Sequence, residues 1–201
     1  MNVIQIFGKT VVRHHCQDLN EYLTPELIAS ASQMLHHPLS RSEEEEYRVG
    51  PSRTTCDVHE LSVLKTAGHE KLTGWIANKC LESATAFGVN NAKSLMLGRN
   101  WMNIMYKGSE GVCHNHSHSG KDPEIVAIFY PYVPVDGAEL VFINNGLDKT
   151  MLDNYDEIDR NYQKVISGDL IIHDSTLFHT ITKHTSESPR VCFIFEIDYQ
   201  I

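Results

Sequence analysis

The chain has 201 residues, of which 41% are hydrophobic and 21% charged, with a net charge of -9. This length can bury the core of one domain, and the balance argues against wholesale disorder. No apolar run approaches the roughly 20 residues that a membrane helix needs. The acidic balance disfavours a phosphate backbone as partner and leaves a small molecule or a protein as the expected partner, with no nucleic acid and no membrane.

The opening MNVIQIFGKTVVRHH reads as a strand with Ile4, Ile6, Val11 and Val12 as buried candidates. It lacks the charged region and long apolar stretch of a secretory signal. Five cysteines (Cys16, Cys56, Cys80, Cys113 and Cys192) are scattered without CxxC spacing, which suits reduced thiols and a cytoplasmic setting. Thr24-Pro25-Glu26 marks a helix start: a hydroxyl cap, proline in the first turn, and an acid at the positive end of the dipole. Leu27, Ile28, Ala31 and Leu35 follow at helical spacing.

Residues 38 to 55 are polar and broken by Gly50-Pro51, so they read as a loop whose run Glu43 to Glu46 is a solvated acidic face. Asp57 with Glu60 predicts a capped helix carrying Leu61, Leu64 and Ala67. A longer helix follows, with Leu72, Trp75, Ile76, Lys79, Cys80 and Ala84 on one face and Phe87 near its end.

From about residue 94 the pattern turns to short strands rich in β-branched and aromatic residues: SLMLGRNWMNIMYKG, EIVAIFYPYVP, AELVFIN, KVISGDLIIHD and RVCFIFEIDYQI. Helices first and strands second predict an α+β domain spanning 1–201, with residues 1–93 as an N-terminal strand and supporting helices and 94–201 as a barrel or two-sheet core. The polar stretch 144–164 is expected to loop over one mouth of that core.

The segment GVCHNHSHSG carries histidines at alternate positions. In a strand, residues i and i+2 share a face, so His114 and His116 can aim two imidazoles at one point. His179, after GDLIIHDSTLF, is the natural third donor. Three imidazoles suit iron, zinc, copper or nickel and leave coordination positions open for substrate or water. Arg190 opens the last strand amid Val, Phe and Ile. A buried guanidinium there needs an anion, and its planar fork matches a carboxylate.

Taken together, WMNIMYKGSEGVCHNH, FYPYVPVDGAELVF, SGDLIIHDSTLFHTI and PRVCFIFEI resemble the iron(II)/2-oxoglutarate-dependent oxygenases, in particular a small phage and marine-bacterial branch with an H-x-H…H…R pattern. The resemblance covers roughly residues 95 to 201. It implies a double-stranded β-helix, the jelly roll also seen in cupins, in the α+β class. It places iron(II) on His114, His116 and His179, the distal carboxylate of 2-oxoglutarate on Arg190, and Trp101, Asn103 and Tyr130 around the cosubstrate. O2 would complete the reactants, and the implied outcome is hydroxylation of an unactivated C–H bond in a small-molecule or peptidyl substrate.

The sequence departs from that pattern at informative places. The superfamily's usual carboxylate ligand is His116, which removes a negative charge from the metal. A proline after it is Ser117, an insertion follows around Gly120 to Glu124, the S-G before the tyrosine strand reads Val126-Ala127, and the serine near the arginine is Cys192. His118 could replace His114 in a shifted register, and His173 and Asp174 are expected behind the ligands or in solvent. A three-histidine zinc hydrolase, a cupin-type dioxygenase without 2-oxoglutarate, and a non-catalytic jelly-roll binding module remain as alternatives.

Overall fold

The structure, a computed structural model, describes residues 1–42, 48–117, 123–144 and 159–201. The first fifteen residues form a hairpin, not one strand: β1 (Asn2–Ile6) and β2 (Lys9–His15) pair antiparallel around Phe7 and Gly8. Both turn residues have positive φ, 51° and 76°, the geometry in which a two-residue connection matches strand twist. Phenylalanine rarely marks such a turn, so the sequence reads straight through it. Ile6, Val11 and Val12 are buried as expected, and Ile4 is half-buried.

After the single turn α1 (Leu19–Tyr22), α2 (Pro25–Leu35) starts where its cap predicts. Thr24 Oγ1 accepts the Leu27 backbone N–H at 3.2 Å. Leu27, Ala31 and Leu35 are buried, and Ile28, at the edge of that stripe, is exposed. The expected loop at 38–55 contains three short strands, β3 (Arg41–Ser42), β4 (Arg48–Val49) and β5 (Ser52–Thr54), because neighbouring strands supply the pairing that its own composition does not favour. The acidic run Glu43 to Glu46 lies outside the described residues.

The capped helix expected from Asp57 does not form. Asp57 has φ 61°, a left-handed conformation incompatible with capping, and two isolated 3-10 turns follow, His59–Leu61 and Val63–Lys65. Leu61 is buried, but Ala67 is exposed. The next helix, α3 (Glu70–Ser83), is as read. It tightens into a 3-10 turn at Ala84–Phe87, with Leu72, Ile76, Cys80 and Ala84 inward.

The remaining strands are β6 (Ser94–Met105), β7 (Glu110–Gly111), β8 (Ile125–Tyr132), β9 (Leu140–Ile143), β10 (Arg160–Gln163), β11 (Asp169–Asp174), β12 (His179–Ile181) and β13 (Arg190–Gln200). Eight strands form one sheet in the order β1-β2-β11-β8-β13-β6-β5-β3, so the N-terminal segment supplies strands as well as helices. A smaller sheet, β10-β9-β12, faces it, and β4 pairs with β7. Of the expected loop at 144–164, residues 160–163 form β10, and residues 145–158 lie outside the described residues.

Strand alternation divides the core in two. On β13, Phe193, Phe195 and Ile197, with half-buried Val191, face Leu27, Leu72 and Ile76 of the helices, and each fully buried side chain contributes about 1.5–3 kcal/mol. Trp101, Ile128, Tyr130, Cys192 and Ile194 point the other way, between the sheets. No helix among the described residues is long and apolar enough to cross a membrane.

Candidate metal centre

The imidazoles arrive from two segments held side by side. His179 begins β12 and exchanges both backbone hydrogen bonds with His114, at 3.0 and 2.8 Å. That bridge is isolated: β7 ends at Gly111, so His114 and His116 lie on extended backbone and not on a regular strand as the alternation predicts. The two-residue period survives because extended backbone alone sets it. His116 is anchored separately, its N–H donating to the Ser175 carbonyl at 2.9 Å. Gly111 permits the approach, since a Cβ there would lie 2.8 Å from the Ile181 nitrogen.

One ring nitrogen from each of His114, His116 and His179 lies within 4.8 Å of the other two. Each ring uses Nδ1 elsewhere. His114 Nδ1 is 2.9 Å from the Val112 carbonyl, His179 Nδ1 is 3.2 Å from that of Leu177, and His116 Nδ1 is 3.0 Å from Glu196 Oε1. All three partners are acceptors, so Nδ1 carries the hydrogen and Nε2 presents its lone pair. Burial, reinforced by the neighbouring histidines, holds His179 well below the ordinary histidine range and keeps it neutral. A neutral imidazole lone pair is what a first-row divalent cation binds, and three such donors leave positions open.

His173 stands behind these three, in line with its expected place off the metal. It is fully buried, its ring centroid is 4.9 Å from that of His179, and Nδ1 donates to the Asp174 carbonyl at 2.8 Å. Burial lowers its pKa to about 3. His118, the alternative ligand, lies outside the described residues.

Arg190 is fully buried although it is the first residue of its strand. Its guanidinium carbon is 4.8 Å from the Tyr130 ring centroid and Nη1 contacts Met105 Sδ at 3.6 Å. Nε and Nη2 have no hydrogen-bond partner among the described residues. A desolvated cation left with two unused donors is costly, and a carboxylate ligand would satisfy both bidentately.

A cavity of about 800 Å³ opens beside these groups, and the three imidazoles, Trp101, Asn103 and Tyr130 line it. Thr54 donates its hydroxyl to Asn103 Oδ1 at 2.6 Å, which fixes that amide. Trp101 lies against His116 with centroids 5.6 Å apart. Burial raises the Tyr130 phenol far above its usual range, and the adjacent Arg190 opposes this only in part. The cavity thus gathers six residues expected from the sequence, with Arg190 behind Tyr130. Among the lining residues not anticipated are Glu196 and Arg99, on β13 and β6. Their signal was available, since each is a charged residue an even number of positions from Arg190 or Trp101 in its strand.

Residues 99–196 match the model of the family described as "Putative 2OG-Fe(II) oxygenase". No curated protein matches the chain by sequence. Among solved structures, the chain is similar to SnoN, the non-heme alpha ketoglutarate dependent epimerase from nogalamycin biosynthesis. The TM-score is 0.67 at 16% identity, over 94% of this chain and 77% of that one. It is similar also to a 2OG-Fe(II) oxygenase family oxidoreductase from Burkholderia pseudomallei (TM-score 0.63, 13% identity, 94% and 85% covered). A Pseudomonas putida prolyl-4-hydroxylase gives a TM-score of 0.56 at 12% identity, over 95% and 93%. These likenesses establish the fold as a double-stranded β-helix.

Proposed function

We propose that this chain, whose residues 99–196 match the 2OG-Fe(II) oxygenase family model, is an oxygenase of that kind that holds its iron on His114, His116 and His179 and the distal carboxylate of 2-oxoglutarate on Arg190. The family makes it an enzyme that uses iron(II), 2-oxoglutarate and O2. The bound metal and cosubstrate supply an oxidant able to abstract hydrogen from a C–H bond, with succinate and CO2 as coproducts. The single observation that supports the Arg190 assignment is a fully buried guanidinium with two donor nitrogens unsatisfied among the described residues, packed on Tyr130, which lines the same cavity as the three imidazoles.

The protein's own contribution is arrangement. The Val112 and Leu177 carbonyls and the Glu196 carboxylate orient the imidazoles before any cation arrives, so little order has to be acquired on binding. Arg190 provides a fixed, permanently charged fork, and Tyr130 covers it with an aromatic face. Asn103 and Trp101 shape the remaining wall of the cavity. Hydroxylation of a small molecule or a peptidyl side chain that enters the 800 Å³ cavity is the proposed outcome. The scattered cysteines support a reducing, cytoplasmic setting for the enzyme.

The test is turnover with its coproduct. Purified protein incubated with iron(II), ascorbate, 2-oxoglutarate and air should form succinate slowly without a prime substrate, and only when iron and oxygen are both present. Tightly held zinc with no succinate under any condition would replace this reading with a three-histidine hydrolase.

A further inference from the structure

His116 stands where the wider superfamily usually carries a carboxylate, so the three protein ligands bring no negative charge to a divalent cation. The structure returns a carboxylate to that same ligand from behind. Glu196 lies six residues beyond Arg190 on the inward face of β13, and its Oε1 accepts from His116 Nδ1 at 3.0 Å, with both side chains 5% exposed. The other two imidazoles donate to neutral backbone carbonyls. Of these three Nδ1 contacts, the one to an acid is made by the ligand that stands in an acid's usual place.

Two neighbours hold this pair in place. Arg99 Nη1 lies 3.9 Å from the same Glu196 oxygen, and Arg99 donates to Asp57 Oδ1 at 2.7 Å. Trp101 covers the face of His116 with rings inclined by 28°. Burying an acid inside a strand of Phe and Ile costs free energy unless hydrogen bonds and opposite charge offset it. Here both do.

We propose that Glu196 is a positioning residue of the metal centre that acts through His116. It fixes the tautomer whose Nε2 faces the cation. One imidazole away, it also supplies the negative charge that a direct carboxylate ligand would bring. A carboxylate behind a metal-bound histidine raises the basicity of that ligand, and removing such a partner typically weakens metal binding roughly 10- to 100-fold. The inference rests on the reading of His114, His116 and His179 as the ligands.

Cobalt(II) is the probe: affinity is read by competition with a chromophoric chelator, and geometry by the visible absorption of the bound ion. Glu196→Gln keeps an oxygen acceptor at the same reach and removes the charge. It should lose roughly 10- to 100-fold in cobalt affinity and shift the cobalt spectrum while its far-ultraviolet circular dichroism matches wild type. A folded variant with wild-type affinity and spectrum overturns the role of Glu196 and leaves the ligand assignment intact. A wild-type chain that binds no cobalt overturns both. If Glu196→Gln does not fold, histidine 15N-resolved spectra of the zinc-loaded wild type decide. One Nδ1 proton displaced downfield of the other two supports a carboxylate acceptor, and three equivalent positions overturn it.

Discussion

Arg190 carries the sharpest consequence at the scale of single residues. Its buried charge lacks a partner at two nitrogens among the described residues, a cost that a carboxylate ligand would offset. Arg190→Met should therefore stabilise the ligand-free chain by about 1–4 kcal/mol, the range seen when apolar groups replace buried ions. At roughly 2–4 °C per kcal/mol for this size, the rise is readable in a thermal melt. Addition of 2-oxoglutarate to the metal-loaded protein should raise the wild-type melting temperature further and move that of the metal-loaded variant much less. The histidines and this arginine were legible because polar types stand out in apolar strands at even spacing. Glu196 offered the same signal, but its meaning depends on a partner 80 positions away, His116, and only the folded chain brings the two together.

Elements were legible where a local rule and the tertiary context agree. The Thr24 cap fixes the start of α2, and five apolar stretches became β6, β8, β9, β11 and β13. Context overrode local pattern in three places: Phe7 in a left-handed turn, Asp57 in the same conformation where a cap was expected, and three short strands drawn from a polar segment by their neighbours. The approach of β7 to β12 was invisible, since one glycine at a crossing leaves no periodic mark. It also makes a test. Gly111→Ala places a methyl group 2.8 Å from the Ile181 backbone nitrogen and must push the two segments apart. The variant should be destabilised by about 1–3 kcal/mol, as overpacking generally costs. It should also lose metal affinity, because His114 and His179 are aligned by the same bridge. A chelator competition on the folded fraction checks the second effect independently of the first.

The whole molecule answers to pH through its buried imidazoles. His14, bonded to Ser83 beside α3, is lowered to about 4 mainly by burial, His173 to about 3, and His179 lies well below its ordinary value. All three are neutral in the folded chain, whereas the unfolded chain takes up protons as pH falls below about 6.5. Their contribution to stability is therefore complete above that pH and is lost progressively as pH falls from about 6.5 through about 3. Urea midpoints of the metal-free protein should fall across this window, and bound metal should oppose the fall until its ligands are protonated. A midpoint that stays level from pH 7.5 to 5 would mean that these imidazoles are not neutral in the fold. The closure of two sheets around the cavity was foreseen as a class, from strand count and the resemblance of the second half. That the first half also contributes strands to the larger sheet was not, because pairing partners far apart in sequence leave no local trace.

The convergence of three imidazoles and one guanidinium on a single iron and a single cosubstrate is tested most directly by anaerobic titration of the iron(II)-loaded protein with 2-oxoglutarate. Chelation of the metal by the cosubstrate produces a visible charge-transfer band. Wild type should develop it to an end point of one 2-oxoglutarate per chain, His179→Ala should show none, and Arg190→Lys should need at least about tenfold more cosubstrate, a difference of about 1.4 kcal/mol. Iron-loaded wild type with no band, or Arg190→Lys titrating as wild type does, would contradict it.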